Sequence, residues 1–108
     1  MNNINKYGKI IVCVKNIDNN FEIVASGTII IEQKIIRGGM SVGHIEDIVV
    51  LPNMRGKGLS KQILEMLKYI AKQKNCYKVI LDCSEEVKNV YVKNGFEIKG
   101  IQMAEYFV

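Results

Sequence analysis

Apolar positions change their spacing along the chain, and each change marks an element. Residues 9–15 (Lys-Ile-Ile-Val-Cys-Val-Lys) are β-branched and predict a strand, closed by turn residues at Asp18-Asn19-Asn20. A second β-rich run lies in residues 22–32, where Gly27 precedes Thr28-Ile29-Ile30-Ile31. Arg37-Gly38-Gly39-Met40-Ser41 reads as a loop, and residues 44–51 as the next strand. Alternation breaks there at Glu46-Asp47, and the apolar run Ile48-Val49-Val50 follows. Cover on both faces explains such a run. A bulge at Glu46-Asp47 explains the change of phase, and bulges often sit beside active sites.

Pro52 to Gly58 predicts a loop. Leu59, Ile63, Leu64, Leu67, Ile70 and Ala71 then recur at helical spacing, which predicts a helix over 59–74 that stops at Asn75. Residues 77–83 predict a strand. Ser84 is placed to cap a following helix, with Glu85 and Glu86 in its first turn and its end at Asn94-Gly95. Phe96–Ile98 and Gln102–Phe107 read as short closing strands in a hairpin around Gly100. Strands, helix, strand, helix, strands make an α/β sheet covered by helices. With 108 residues, no repeat and no linker, a single domain over 1–108 is expected. Hydrophobic residues make up 48% of the chain, enough for a core packed mainly by Val, Ile and Leu.

The formal charge of +4 fits a phosphate-rich ligand as well as ordinary solubility. Acidic residues are interspersed and no run of basic residues stands beside aromatics, so nucleic acid is not expected as a partner. Cys13, Cys76 and Cys83 show neither a disulfide framework nor zinc spacing, and His44 is the only imidazole, so no metal is expected. The cysteine usage points to a reducing, cytoplasmic compartment. The polar start from Met1 to Lys6 is unlike a secretory signal, and no apolar run reaches the roughly 20 residues that cross a membrane.

The sharpest local signal is Arg55-Gly56-Lys57-Gly58-Leu59-Ser60, set between a strand and a long helix. Glycines let the backbone approach a ligand, a helix start offers unpaired N–H donors, and Arg55, Lys57 and Lys61 add charge. Those features suit a pyrophosphate. From these residues alone, a glycine-rich turn with surface lysines fits equally well. The spacing matches neither a Walker loop nor the dinucleotide fingerprint.

This loop resembles the coenzyme A pyrophosphate motif (Arg/Gln)-x-x-Gly-x-(Gly/Ala) of the GNAT N-acetyltransferase superfamily, with Ser60 in place of the last small residue. Tyr91-Val92-Lys93-Asn94-Gly95-Phe96 is similar to the superfamily's Tyr-x-x-x-Gly-Phe segment. Three further stretches resemble the glucosamine 6-phosphate N-acetyltransferases: Gly43-His44-Ile45-Glu46-Asp47-Ile48, Cys76-Tyr77-Lys78-Val79-Ile80-Leu81-Asp82-Cys83, and Ile31-Glu32-Gln33-Lys34 running into Ile35-Ile36. The resemblance covers roughly residues 25 to 103, in the same order and with similar gaps.

The resemblance implies a mixed, largely antiparallel sheet flanked by helices. It also implies direct transfer of an acetyl group from acetyl-CoA to the amine of glucosamine 6-phosphate, for UDP-N-acetylglucosamine synthesis, in a homodimer. The backbone of Ile48, Val49 and Val50 is expected along the pantetheine and thioester, by oxyanion logic. Gly56 to Lys61 with Arg55, and Val92 and Lys93 beside Tyr91, are expected at the rest of the cofactor. Tyr91 is the expected donor to the leaving thiolate, and packing on the sheet is its plainer reading. Asp82, Glu46 and Asp47 are candidates for the sugar hydroxyls and amine, with Asp82 near the attacking nitrogen. A helix-start carboxylate or surface ion pairs are their plainer readings. Lys34, Arg37, Tyr77 and Lys78 are candidates for the rest of the acceptor, including its phosphate. His44 is read as a structural strand-end residue, and Cys76 and Cys83 as small buried hydrophobes.

Two departures bear on the acceptor. Family members carry an extra N-terminal strand and helices with a substrate-binding threonine, for which this length leaves no room, so an N-terminally short domain is expected. Tyr106 stands where the family has an arginine, and Arg37 where histidine is common. Acetylation of another amine, or acetyl-CoA binding with impaired catalysis, are the alternatives that these departures leave open.

Overall fold

The computed structural model describes residues 6–34 and 37–108; the side chains of Lys6 and Arg37 lie outside this description. Its elements run β1 (Lys6–Ile17), β2 (Asn20–Gln33), β3 (Ser41–Val50), α1 (Leu59–Gln73), β4 (Cys76–Ile80) and α2 (Lys88–Lys93). The sheet order is β1-β2-β3-β4. The first two pairings are antiparallel and β3–β4 is parallel, which is the expected mixed architecture. β1 and β2 join through Asp18 and Asn19, both at positive φ (49° and 67°). That is the backbone a two-residue hairpin turn demands, and Asp and Asn tolerate it.

α1 lays its apolar stripe on one face of the sheet. Ile63, Leu64, Leu67 and Ala71 are buried against Ala25, Ile29, Ile31 and Ile45. Each of the larger side chains contributes about 1.5–3 kcal/mol by leaving water. Asn75 (φ 61°) ends the helix in the left-handed conformation, as expected. Among the described residues, no helix is long and apolar enough to cross a membrane.

Apart from strand ends that run a few residues longer, as at β1 and the start of β3, the structure departs from the expected elements at four places. β4 stops at Ile80 rather than 83, because its last rung with β3 is His44↔Ile80. Beyond that rung Leu81 to Ser84 have no ladder to join, and Cys83 is exposed rather than buried. Ser84 does not cap α2: Val87 N–H donates to the Ser84 carbonyl (3.3 Å), Lys88 pairs with Glu85 (2.8 Å), and the helix begins only after this turn. Residues 96–108 form no strand among the described residues, and Ile101, Met103 and Phe107 are 91%, 90% and 87% exposed. A strand needs a partner edge, and the five residues of β4 offer a short one. Finally, β3 is covered on both faces only in its first half: Val42 and Ile45 are buried, whereas Val49 is 54% exposed.

Candidate functional site

Two local irregularities open a fork in the sheet. The β2–β3 register jumps from Thr28↔Glu46 to Ser26↔Val49, so Gly27 faces both Asp47 and Ile48. Asp47 takes up the extra residue at positive φ (54°), which is the bulge expected from the broken alternation. On the other edge of β3, pairing with β4 ends at His44↔Ile80. From Ile45 to Val50, β3 is paired among the described residues on its β2 side only, and the peptide groups pointing the other way line an open edge. The outward-pointing peptide groups of Ile48 to Val50, apart from the Val50 carbonyl, therefore offer backbone donors and acceptors at the mouth of the fork.

The chain then turns through Pro52–Met54 into the glycine loop. Arg55 Nε donates to the Val50 carbonyl (3.3 Å), tying this loop back to β3. Gly56 and Gly58 have φ 79° and 78°, and a Cβ at either would meet no atom within 4 Å, so backbone conformation rather than space asks for glycine there. The first bond of α1 runs from Gln62 N–H to the Gly58 carbonyl (3.1 Å). The N–H groups of Leu59, Ser60 and Lys61 thus have no partner inside the helix, and no side chain caps them. With the helix dipole and exposed Lys57 and Lys61, this junction favours an anion.

Beyond β4 lies a cavity of about 680 Å³ that brings Lys78, Asp82, Cys83, Tyr91 and Phe96 together. Tyr91 is half-buried on α2 and packs edge-on against Phe96 (centroids 5.9 Å apart, 85°). Burial, and secondarily Cys83, pushes its phenol above the ordinary tyrosine value, which keeps it a hydrogen donor at neutral pH. Val92 and Lys93 follow it on the same helix, and Val92 also lines this cavity. Asp82 is exposed and accepts from Gln102 Nε2 (3.4 Å). Cys76 packs against the core, and burial raises its thiol pKa.

The remaining acceptor candidates divide by position. Glu46 and Asp47 are exposed at the bulge. Lys78 aligns with Val42 across β3–β4, and its ammonium lies 5.6 Å from the Tyr77 ring. Lys34 Nζ donates to Glu32 Oε1 (2.6 Å). Arg37 opens a short helical turn, Arg37–Gly39, while its side chain and residues 35 and 36 lie outside the described residues. None of Lys34, Glu46 or Asp47 lines the cavity that holds Asp82 and Tyr91. Glu32 also faces His44, 3.4 Å from its Nε2. Sequence spacing gave no hint of this contact, because it joins diagonal positions on two strands. Among the described residues, no cluster of His, Cys, Asp and Glu could hold a metal.

Comparison with known proteins adds the family. The model of the acetyltransferase (GNAT) family matches residues 4–96. The glucosamine 6-phosphate N-acetyltransferase 1 of Dictyostelium discoideum is 52% identical over 85 residues, covering 79% of this chain and 54% of its own. The glucosamine 6-phosphate N-acetyltransferase of Arabidopsis thaliana is 45% identical over 97 residues, covering 90% of this chain and 65% of its own. The crystal structure of the Arabidopsis thaliana enzyme superposes with a TM-score of 0.82 at 44% identity, over 92% of this chain and 67% of that one. The chain thus spans about half to two-thirds of the length of the curated relatives it matches.

Proposed function

The chain belongs to the acetyltransferase (GNAT) family, and from that premise we propose that it is a single acetyltransferase domain that moves the acetyl group of acetyl-CoA to the amine of glucosamine 6-phosphate. The product would supply UDP-N-acetylglucosamine synthesis. One observation carries the reading: the unpaired edge of β3 from Ile45 to Val50 runs directly into a glycine loop with open helix-start N–H groups. A thioester needs donors for its carbonyl, and a pyrophosphate needs several N–H groups at once. Here both sets lie on one continuous stretch of chain.

In this reading Arg55, Gly56, Lys57, Gly58, Leu59, Ser60 and Lys61 hold the pyrophosphate. Ile48, Val49 and Val50 hold the pantetheine and polarise the thioester, with Val92 and Lys93 flanking Tyr91 on the cofactor side. Tyr91 gives a proton to the departing thiolate. Lys34, Arg37 and Lys78 serve the phosphate of the acceptor, Tyr77 contacts the acceptor, and Glu46, Asp47 and Asp82 serve the sugar hydroxyls and amine. Free thiols at Cys13, Cys76 and Cys83 fit a reducing compartment, and we place the protein in the cytoplasm. Exposed Ile98, Ile101, Met103 and Phe107 supply apolar surface for the proposed homodimer.

Calorimetry with coenzyme A, followed by thiol release with a panel of amines, tests the reading. Uptake of coenzyme A and turnover of glucosamine 6-phosphate support it. A polyamine or peptide amine that reacts while glucosamine 6-phosphate stays inert would replace the acceptor. Gly58→Val is expected to weaken coenzyme A binding about tenfold. Holding a β-branched residue at φ 78° costs roughly 1–2 kcal/mol, relieved by turning the loop N–H groups away. Equal affinities in the two proteins would exclude the loop from the site.

A further inference from the structure

The apex of the fork carries a pair of side chains to which the reading above gives no role. His44 lies on the last rung that β3 shares with β4, opposite Ile80. A Cβ at its neighbour Gly43 would face Ala71 of α1, so His44 projects from the opposite face of the sheet. Glu32 lies on that same face of β2, opposite Val42 and diagonal to His44. Glu32 Oε1 stands 3.4 Å from His44 Nε2 and 2.6 Å from Lys34 Nζ, with the three side chains 23%, 31% and 37% exposed in that order. They are packed enough to be held and open enough to exchange protons with solvent.

Resting on the acetyltransferase reading, we infer that Glu32 and His44 form a carboxylate–imidazole dyad, and that His44 takes the proton which the acceptor ammonium must lose. A neutral His44 with its N–H on Nε2 presents that donor to Glu32 and leaves the lone pair of a base on Nδ1. Two residues beyond the rung, Glu46 follows on β3 and Asp82 on the β4 side, so the dyad stands where the two lines of acceptor candidates meet. Imidazole is the side chain suited to proton transfer near neutral pH.

The protons balance as follows. The acceptor ammonium gives one proton to His44 Nδ1, which releases it to water. The freed nitrogen lone pair forms the C–N bond at the thioester carbonyl. As the C–S bond breaks, the thiolate takes the Tyr91 proton, and the second proton leaving nitrogen restores the phenol through water. One ammonium and one thioester become one amide, one thiol and one free proton. Charged groups around His44 are Glu32 and Lys34 from the β2 side, Glu46 on β3, and Lys78 and Asp82 from the β4 side.

The test is the pH profile of kcat/KM for glucosamine 6-phosphate. His44→Gln keeps a donor toward Glu32 but cannot take a proton; it should lower kcat at least tenfold, abolish the acid limb of the profile and leave coenzyme A affinity unchanged. Glu32→Gln removes the carboxylate that holds the ring, so kcat should fall while coenzyme A affinity stays unchanged. A merely structural role for His44 would lower activity without removing the acid limb. The dyad is overturned if His44→Gln keeps the wild-type acid limb or turns over at the wild-type rate, or if Glu32→Gln leaves kcat unchanged. Coenzyme A uptake by a wild-type protein that acetylates no amine would instead overturn the acetyltransferase reading, and the dyad with it.

Discussion

Tyr91→Phe is expected to lower kcat about 10²-fold or more while coenzyme A affinity, measured by calorimetry, stays within about threefold. The ring is anchored edge-on by Phe96 and packs against the core cluster, and phenylalanine preserves both contacts. Only the O–H is lost. Without it the thiolate leaves unprotonated, and a positioned general acid is worth roughly 10²–10⁴ in rate. The pH profile provides a second check. Burial holds the phenol above its ordinary value of about 10, so ionisation of Tyr91 should not reduce the wild-type rate until the pH exceeds that range. An unchanged kcat in the variant would remove Tyr91 from the reaction.

The largest expected effect on stability is at Gly27. A Cβ there would lie 2.4 Å from Ile63 Cγ2, 3.2 Å from Leu67 Cδ1 and 3.6 Å from Ile48 Cγ1. Ile63 and Leu67 are 1% and 0% exposed, so neither has room to retreat. Gly27→Val forces α1 away from the bulge, and overpacking of this kind costs about 3 kcal/mol. At a urea slope of about 1–1.5 kcal/mol/M, the midpoint should fall by roughly 2 M. Gly100→Ala, where nothing lies within 4 Å, should leave the midpoint unchanged. Equal midpoints for Gly27→Val and wild type would mean that α1 can shift freely over the bulge.

The contrast between α1 and α2 shows what the sequence could convey. α1 carries an apolar residue at each core-facing turn, so its span is legible without tertiary context. The bulge was legible too, because Asp47 breaks an alternation that the β2 pairing otherwise keeps. α2 has six residues and none is buried, so its start depends on the Glu85–Lys88 pair and the turn before it. Residues 96–108 alternate like strands, but periodicity cannot say whether an edge is available to receive them. The candidate site divides the same way. The glycine loop is contiguous and could be read directly, whereas the Glu32–His44 contact exists only once the register is known.

The two-residue turn at Asp18-Asn19 and the parallel rung at the fork differ in the chain length they enclose. The β1–β2 hairpin closes over neighbouring residues and can zip up in microseconds. Ser41↔Cys76 and His44↔Ile80 are separated in the chain by the whole of α1, and such long closures are slow. The fork is therefore expected to close later in folding than the hairpin. A ligand that bridged its two sides would act as a latch on that step and lengthen the lifetime of the native state.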